Sequence, residues 1–268
     1  MSRSARPGSG IVGERPTARN STADRAIDIL LLFESKGPVL GAADVSEELG
    51  MSRSTTYRYL QSLRAHDLLE EGDDGRGFRL GPRVLRLARV ARHGLGVPEV
   101  ALPVMRQLMV ETDETVLLTR RAGMNVVCVE RVSGRHPVRL SYERGHILPV
   151  HAGASAKILL AYADAAEIEQ VLAAPMPRLT PNSVIDPNKL RQQLAAIREQ
   201  GYAITHGEAD ANVVGIAAPI RDGSGRVVAA VGIAGVDFRI TEDTVPRLTA
   251  AVVRAAQAIS DRLADGHE

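Results

Sequence analysis

The chain has no tryptophan, and three phenylalanines and five tyrosines hold aromatics to 3 % of its 268 residues. Any core must be aliphatic, and an apolar content of 44 % is enough to build one. A single cysteine, Cys128, excludes an intrachain disulfide and a cysteine metal cluster. Within the run NVVCVE it reads as a small core residue. No apolar run approaches the ~20 residues of a membrane span, and the N-terminus lacks the hydrophobic segment of a signal peptide. The expected location is the cytoplasm, with no membrane partner.

Catalytic signatures are missing too. There is no GxSxG (GASAK departs at Ala156 and Lys157), no Ser-x-x-Lys, no HExxH, no CxxC and no phosphate loop. The seven histidines are scattered; His151 and His206 could meet only through the fold. No catalytic residue, metal or cofactor is expected.

Net charge is only +1, but it is unevenly spread. Residues 1–96 hold fifteen Lys/Arg against twelve Asp/Glu, and the remainder eighteen against twenty. From Arg76 to Arg92 there are six arginines and no acid. Residues 1–20 lack periodicity and carry four arginines against one glutamate, which reads as a disordered basic arm.

Three helices are predicted next. Residues 22–34 place Ala26, Ile29, Leu30 and Phe33 at helical spacing, and Gly37-Pro38 stops the run. AADVSEELG (42–50) is a second helix. Ser52 then stands at an N-cap position, before a third helix over 53–66 with Thr56, Leu60 and Leu63 inward. Its other face gathers Arg53, Ser54, Tyr57, Arg58 and Gln61. Gly72-Asp73-Asp74-Gly75 between two short extended runs is a hairpin signal. Helix, helix, turn, helix, hairpin is the order of a winged helix-turn-helix. Small hydroxyls at a helix N-terminus let the backbone approach phosphates, and arginine can bond a guanine edge twice. The hairpin would set Arg76 and Arg79 against the neighbouring DNA backbone. GPRVLRLARVARHGLG (81–96) reads as a linker helix whose apolar side (Val84, Leu87, Ala88, Ala91) could pack on a second copy.

Beyond Pro98 the texture changes to hairpin-linked strands, helices over about 164–173 and 187–199, a second hairpin at Asp222–Gly225, and a closing helix over 242–264. This suggests an α+β domain with an antiparallel sheet. LPVHAGASAKILLA (148–161) enters as a strand, turns on small residues and becomes a helix. Gly153, Ala154, Ser155 and Ala156 leave first-turn N–H groups uncovered. The turn is either a carboxylate site or simply a tightly packed corner.

In this order the parts resemble the IclR family of bacterial transcriptional regulators. The resemblance covers about residues 22–264. It rests on RAIDILLLF, ADVSEELGMSRSTTYRYLQSLRAHDLLE, FRLGPRVLRLA, LPVHAGASAKILLA and IAAPIRDGSGRVVAAVGIAG. It implies a DNA-binding domain over 21–82, a linker helix over 83–97 and a GAF-like effector domain over 98–265. It also implies dimers or tetramers on palindromic double-stranded operator DNA, and a regulator, more often a repressor, controlled by a small organic acid. Arg53, Ser54, Thr55, Tyr57 and Arg58 match the family's recognition helix, with Arg58 at an arginine of the family motif, while Tyr59 stands where leucine is usual. Ala154 and Ser155 match the loop that holds the effector carboxylate; Val138 and Leu140 match an apolar wall. Thr205, Gly215, Gly232 and Ala234 fall where members that bind small keto acids have polar side chains. Three of these four carry no polar side-chain atom here, which implies a roomier, less polar pocket and a carboxylate with a bulkier, partly apolar body, such as an aromatic acid. The competing readings are a DNA-binding dimer that senses nothing and an enzyme fused to a DNA-binding head.

Overall fold

The computed structural model describes residues 22–72, 77–93, 96–134 and 142–265. The expected N-terminal arm, Arg76, Val138 and Leu140 lie outside these residues. The chain divides into two compact units, one ending at Ala91 and one starting at Arg92.

The first unit runs α1 (Thr22–Lys36), α2 (Ala42–Glu48), α3 (Arg53–Ala65), β1 (Leu69–Glu71), β2 (Phe78–Leu80) and α4 (Pro82–His93). Its core joins Ile29 and Phe33 of α1, Val45 of α2, and Tyr59, Leu60 and Leu63 of α3 with Leu69 and Phe78 of the wing. Fully burying a side chain such as Leu60 contributes roughly 1.5–3 kcal/mol. Leu40 bridges to Phe78 through two backbone hydrogen bonds of 2.8 and 2.9 Å, locking the wing onto the α1–α2 connection. Tyr59 joins the inward stripe of α3 and is 7 % exposed. Gly81 has to be glycine: a Cβ there would stand 2.3 Å from the carbonyl oxygen of Asp67. The linker helix ends earlier than the expected residue 97. It stops at His93, and Gly96, at φ +62°, starts the next helix.

The second unit runs α5 (Val97–Thr112), β3 (Thr115–Ala122), β4 (Asn125–Val132), β5 (Ile147–Pro149), α6 (Ala154–Ala161), α7 (Ala165–Ala173), α8 (Pro187–Gln200), β6 (Ala203–His206), β7 (Val213–Arg221), β8 (Val227–Val236) and α9 (Val245–Asp265). Among the described residues its strands form one antiparallel sheet in the order β5-β4-β3-β8-β7-β6. Strand side chains alternate between faces. Val214, Ile216, Ala218 and Ile220 of β7 and Val231 and Ile233 of β8 pack under α5 and α9. On the other face Ala217 and Ala230 meet α6, with α7 and α8 outside it. That second face is lined by small residues along β7 and β8, so α6 sits close: a Cβ on Gly215 would be 3.3 Å from the Cβ of Ala154.

Candidate functional site

The exposed face of α3 is one site. The Ser52 hydroxyl caps the helix, accepting from the Thr55 amide at 3.3 Å and donating to the Thr55 hydroxyl at 2.9 Å. Thr56 turns inward, donating to the Ser52 carbonyl at 3.1 Å. Arg53, Ser54, Tyr57, Arg58 and Gln61 are all exposed, while Thr55 is half-buried with its hydroxyl engaged in the cap. The first turn carries no acid, so nothing opposes an anion there. Among the described residues neither Arg53 nor Arg58 has an ion-pair partner; the Arg58 guanidinium lies 5.9 Å from the centroid of the Tyr59 ring. Arg79 lies on β2 of the wing. It faces Glu70 across the wing and donates to it at 2.7 Å, because the β1–β2 register makes the two direct partners.

The second site is a cavity of about 620 Å³, its mouth included, between the sheet and the start of α6. Leu117, Val126, Leu148 and Val213 give it an apolar wall. Of the expected effector residues, Ala154, Ser155, Thr205, Gly215 and Ala234 line it. Register explains the grouping: Thr205 pairs with Gly215, and Gly215 with Ala234, so one row crosses three strands. Gly232 is a correction. It is not part of the lining; it pairs with Ala217, and a Cβ there would stand 2.9 Å from that residue's Cβ. Its place demands close approach to β7.

The start of α6 points its amides at this cavity. Gly153 is the N-cap, at φ +91°, and no side chain caps the helix. Its own N–H donates to Glu208 Oε2 at 3.4 Å. Among the described residues nothing accepts from the amides of Ala154, Ser155 and Ala156, and the partial positive charge of the helix end remains available to an anion.

Behind this turn lies a buried ion pair. Lys157 Nζ is 2.5 Å from Glu208 Oε1 and 2.7 Å from Gln193 Oε1, with the lysine 1 % and the glutamate 7 % exposed. Burial lowers the Lys157 ammonium below its ordinary value while the Glu208 carboxylate opposes that shift. Burial, helped by the charge of Glu130, pushes the Cys128 thiol up to about 11. It stays protonated in the cavity wall, with Sγ 3.4 Å from the Glu130 carbonyl, and is no nucleophile.

His151 is buried with Nε2 3.0 Å from the Pro177 carbonyl, whereas His206 is exposed on β6. Burial lowers His151 from its ordinary 6.5. The unfolded chain therefore takes up a proton that the folded chain resists. This contribution to stability is complete above about pH 6.5 and is lost as pH falls from there toward the folded value. Urea midpoints are expected to drop between about pH 7.5 and pH 5, and His151→Asn to flatten part of that drop. Parallel pH curves for the two proteins would refute the assignment.

Sequence reasoning missed Glu208, Asp210, Tyr142, His146 and Thr119 as lining residues. The expectation of a polar-poor pocket holds for positions 215 and 234 but not for the β6–β7 connection. ITHGEAD carries two acids just after a strand, the one signal that pointed there.

The fold and these sites define a helix-turn-helix DNA-binding protein with a second, cavity-bearing domain. The IclR helix-turn-helix domain matches residues 22–73, and the C-terminal domain of bacterial transcriptional regulator IclR matches residues 90–261. The chain belongs to the IclR family of bacterial transcriptional regulators. It is 31 % identical over 246 residues to the HTH-type transcriptional regulator KipR of Bacillus subtilis, covering 91 % of this chain and 98 % of KipR. It is 32 % identical over 221 residues to the HTH-type transcriptional repressor AllR of Escherichia coli K12, covering 82 % of each. An IclR homologue from Microbacterium hydrocarbonoxydans, solved in complex with 4-hydroxybenzoate, superimposes with a TM-score of 0.82 at 31 % identity, over 91 % of this chain and 99 % of that one. The protein is thus a DNA-binding transcriptional regulator and not an enzyme. Among the described residues no helix is long and apolar enough to cross a membrane.

Proposed function

We propose that the protein is a repressor whose grip on a palindromic operator is controlled by an organic carboxylate with an aromatic body, held in the cavity beside α6. The observation that carries this reading is the uncapped start of α6 opening into an apolar-walled cavity. The ligand carboxylate accepts from the amides of Ala154, Ser155 and Ala156, and its ring lies against Leu117, Val126, Leu148 and Val213. Gly215 and Ala234 leave room for that ring, and Thr205 supplies a hydroxyl at the edge. The open cavity argues against a domain that only joins subunits. The 4-hydroxybenzoate complex of the Microbacterium homologue supports an aromatic acid, and the repressors named AllR support repression.

On the DNA side, Arg53, Ser54, Thr55, Tyr57, Arg58 and Gln61 read a major groove. Two copies align their α3 helices on two half-sites. The face for pairing is α4, where Leu85, Leu87 and Val90 are 74, 55 and 63 % exposed. Binding of the acid shifts the equilibrium between DNA-competent and incompetent arrangements only by its differential affinity for them.

The test is titration calorimetry with benzoates and with two- and three-carbon keto acids, followed by gel shift on the upstream region with each binder. Benzoates are expected to bind and to change operator occupancy. Tight binding of the small keto acids alone would overturn the aromatic reading, and no operator response to any binder would overturn the control.

A further inference from the structure

The connection from β6 to β7 brings two carboxylates to the cavity, and they differ. Glu208 is neutralised by Lys157. Asp210, two residues on, also lines the cavity and is half-buried, and among the described residues its carboxylate has neither a hydrogen bond nor an ion pair. It is not a loosely held surface acid. The Glu208 carbonyl accepts from the Ser183 hydroxyl at 2.8 Å and the Thr180 hydroxyl at 3.3 Å, and the Gly207 carbonyl accepts from Thr180 at 2.5 Å. Asp210 itself accepts from the Val213 amide through its carbonyl at 3.2 Å. Ala209 lies against the α6 turn: a Cβ on Gly153 would stand 3.5 Å from the Cβ of Ala209. The backbone carrying Asp210 is therefore fixed, and the acceptor is set in place before any ligand arrives.

A ligand that fills this cavity strips water from that carboxylate. An ionised group that loses water without a new donor is costly. A purely apolar ring leaves Asp210 in that state; a ring with a hydroxyl or amino group satisfies it. We infer that Asp210 is the specificity-determining acceptor of the cavity, selecting aromatic acids that carry a hydrogen-bond donor on the ring over those that carry none. The inference rests on the reading of this cavity as the effector site. The ligand then meets two unlike groups of the lining, its carboxylate on the α6 amides and its donor on Asp210. Reversing it would set two carboxylates together. Tyr142, also in the lining, feels the same charge: burial and Asp210 both raise its phenol above the ordinary value, so it stays a neutral wall residue.

The experiment is calorimetric titration of the full chain with benzoate, its three hydroxy isomers, its three amino isomers and the methoxy counterparts, repeated on Asp210→Ala and Asp210→Asn. At least one hydroxy or amino isomer is expected to bind about tenfold or more tighter than both benzoate and its own methoxy counterpart. In Asp210→Ala that preference is expected to collapse, with benzoate binding at least as tightly as before. The hydroxy and amino isomers serve as separate arms, each a neutral ring donor, and preference for either class over benzoate and the methoxy compounds marks the hydrogen bond. Equal affinity for benzoate and every donor isomer in the wild type overturns the inference without any variant, and so does a preference that survives in a folded Asp210→Ala. Binding of benzoate without donor preference leaves the carboxylate reading standing and sinks only this one. No binding of any benzoate sinks both.

Discussion

Replacing Lys157 with methionine is expected to destabilise the C-terminal unit by about 3–5 kcal/mol, because one partner of a buried ion pair is removed and the other stays behind. Lys157 is 1 % exposed, and its ammonium bridges Glu208 and Gln193. Without it, Glu208 retains only the Gly153 amide at 3.4 Å as a side-chain donor among the described residues. At about 2–4 °C per kcal/mol for a unit of this size, the thermal midpoint should fall by about 6–20 °C. The double replacement Lys157→Met with Glu208→Leu should recover most of this, since an apolar pair of similar volume needs no compensating charge. Urea unfolding of the three proteins checks it. A loss below about 1 kcal/mol in the single variant would mean that the pair is hydrated and contributes as little as a surface bridge.

Arg58→Ala is expected to weaken operator binding by about 1–3 kcal/mol, roughly 5- to 150-fold, if its guanidinium makes two bonds to a base edge. The residue is exposed on α3 without an ion-pair partner among the described residues, so its charge is available. The loss should be largest on the cognate site and small on unrelated DNA. A phosphate contact would instead lower affinity evenly across sequences and reduce the salt slope by about one. Fluorescence anisotropy at several salt concentrations, on operator and on scrambled DNA, separates these outcomes. Unchanged affinity on both would remove Arg58 from the reading face. Arg79 is expected to matter less, because Glu70 already holds its guanidinium at 2.7 Å.

Much of the DNA-binding unit was legible because its signals are short-range. The Ser52 cap acts on an amide three residues away, and the predicted helix over 53–66 is observed over Arg53–Ala65. Asp222–Gly225 marked the β7–β8 hairpin because Asp222 can accept from Ser224 and Arg226 within the turn. The predicted inward stripe of α3 (Thr56, Leu60, Leu63) omits Tyr59 for an equally clear reason. Helical periodicity does not say how wide the buried stripe is; the wing and α1 decided that.

The sequence by itself determined the order of elements, the polar and basic face of α3, the aliphatic core and the lack of catalytic motifs. Each follows from residue type and from spacings of a few residues. Only the tertiary structure decided the cavity. Thr205, Gly215 and Ala234 form one row because three antiparallel strands happen to share a register. Lys157 meets Glu208 across 51 residues, and Asp210 enters the cavity because Thr180 and Ser183 hold its loop. A helix cap is set by neighbours along the chain, whereas a binding site is set by strand register and by which charges are buried together.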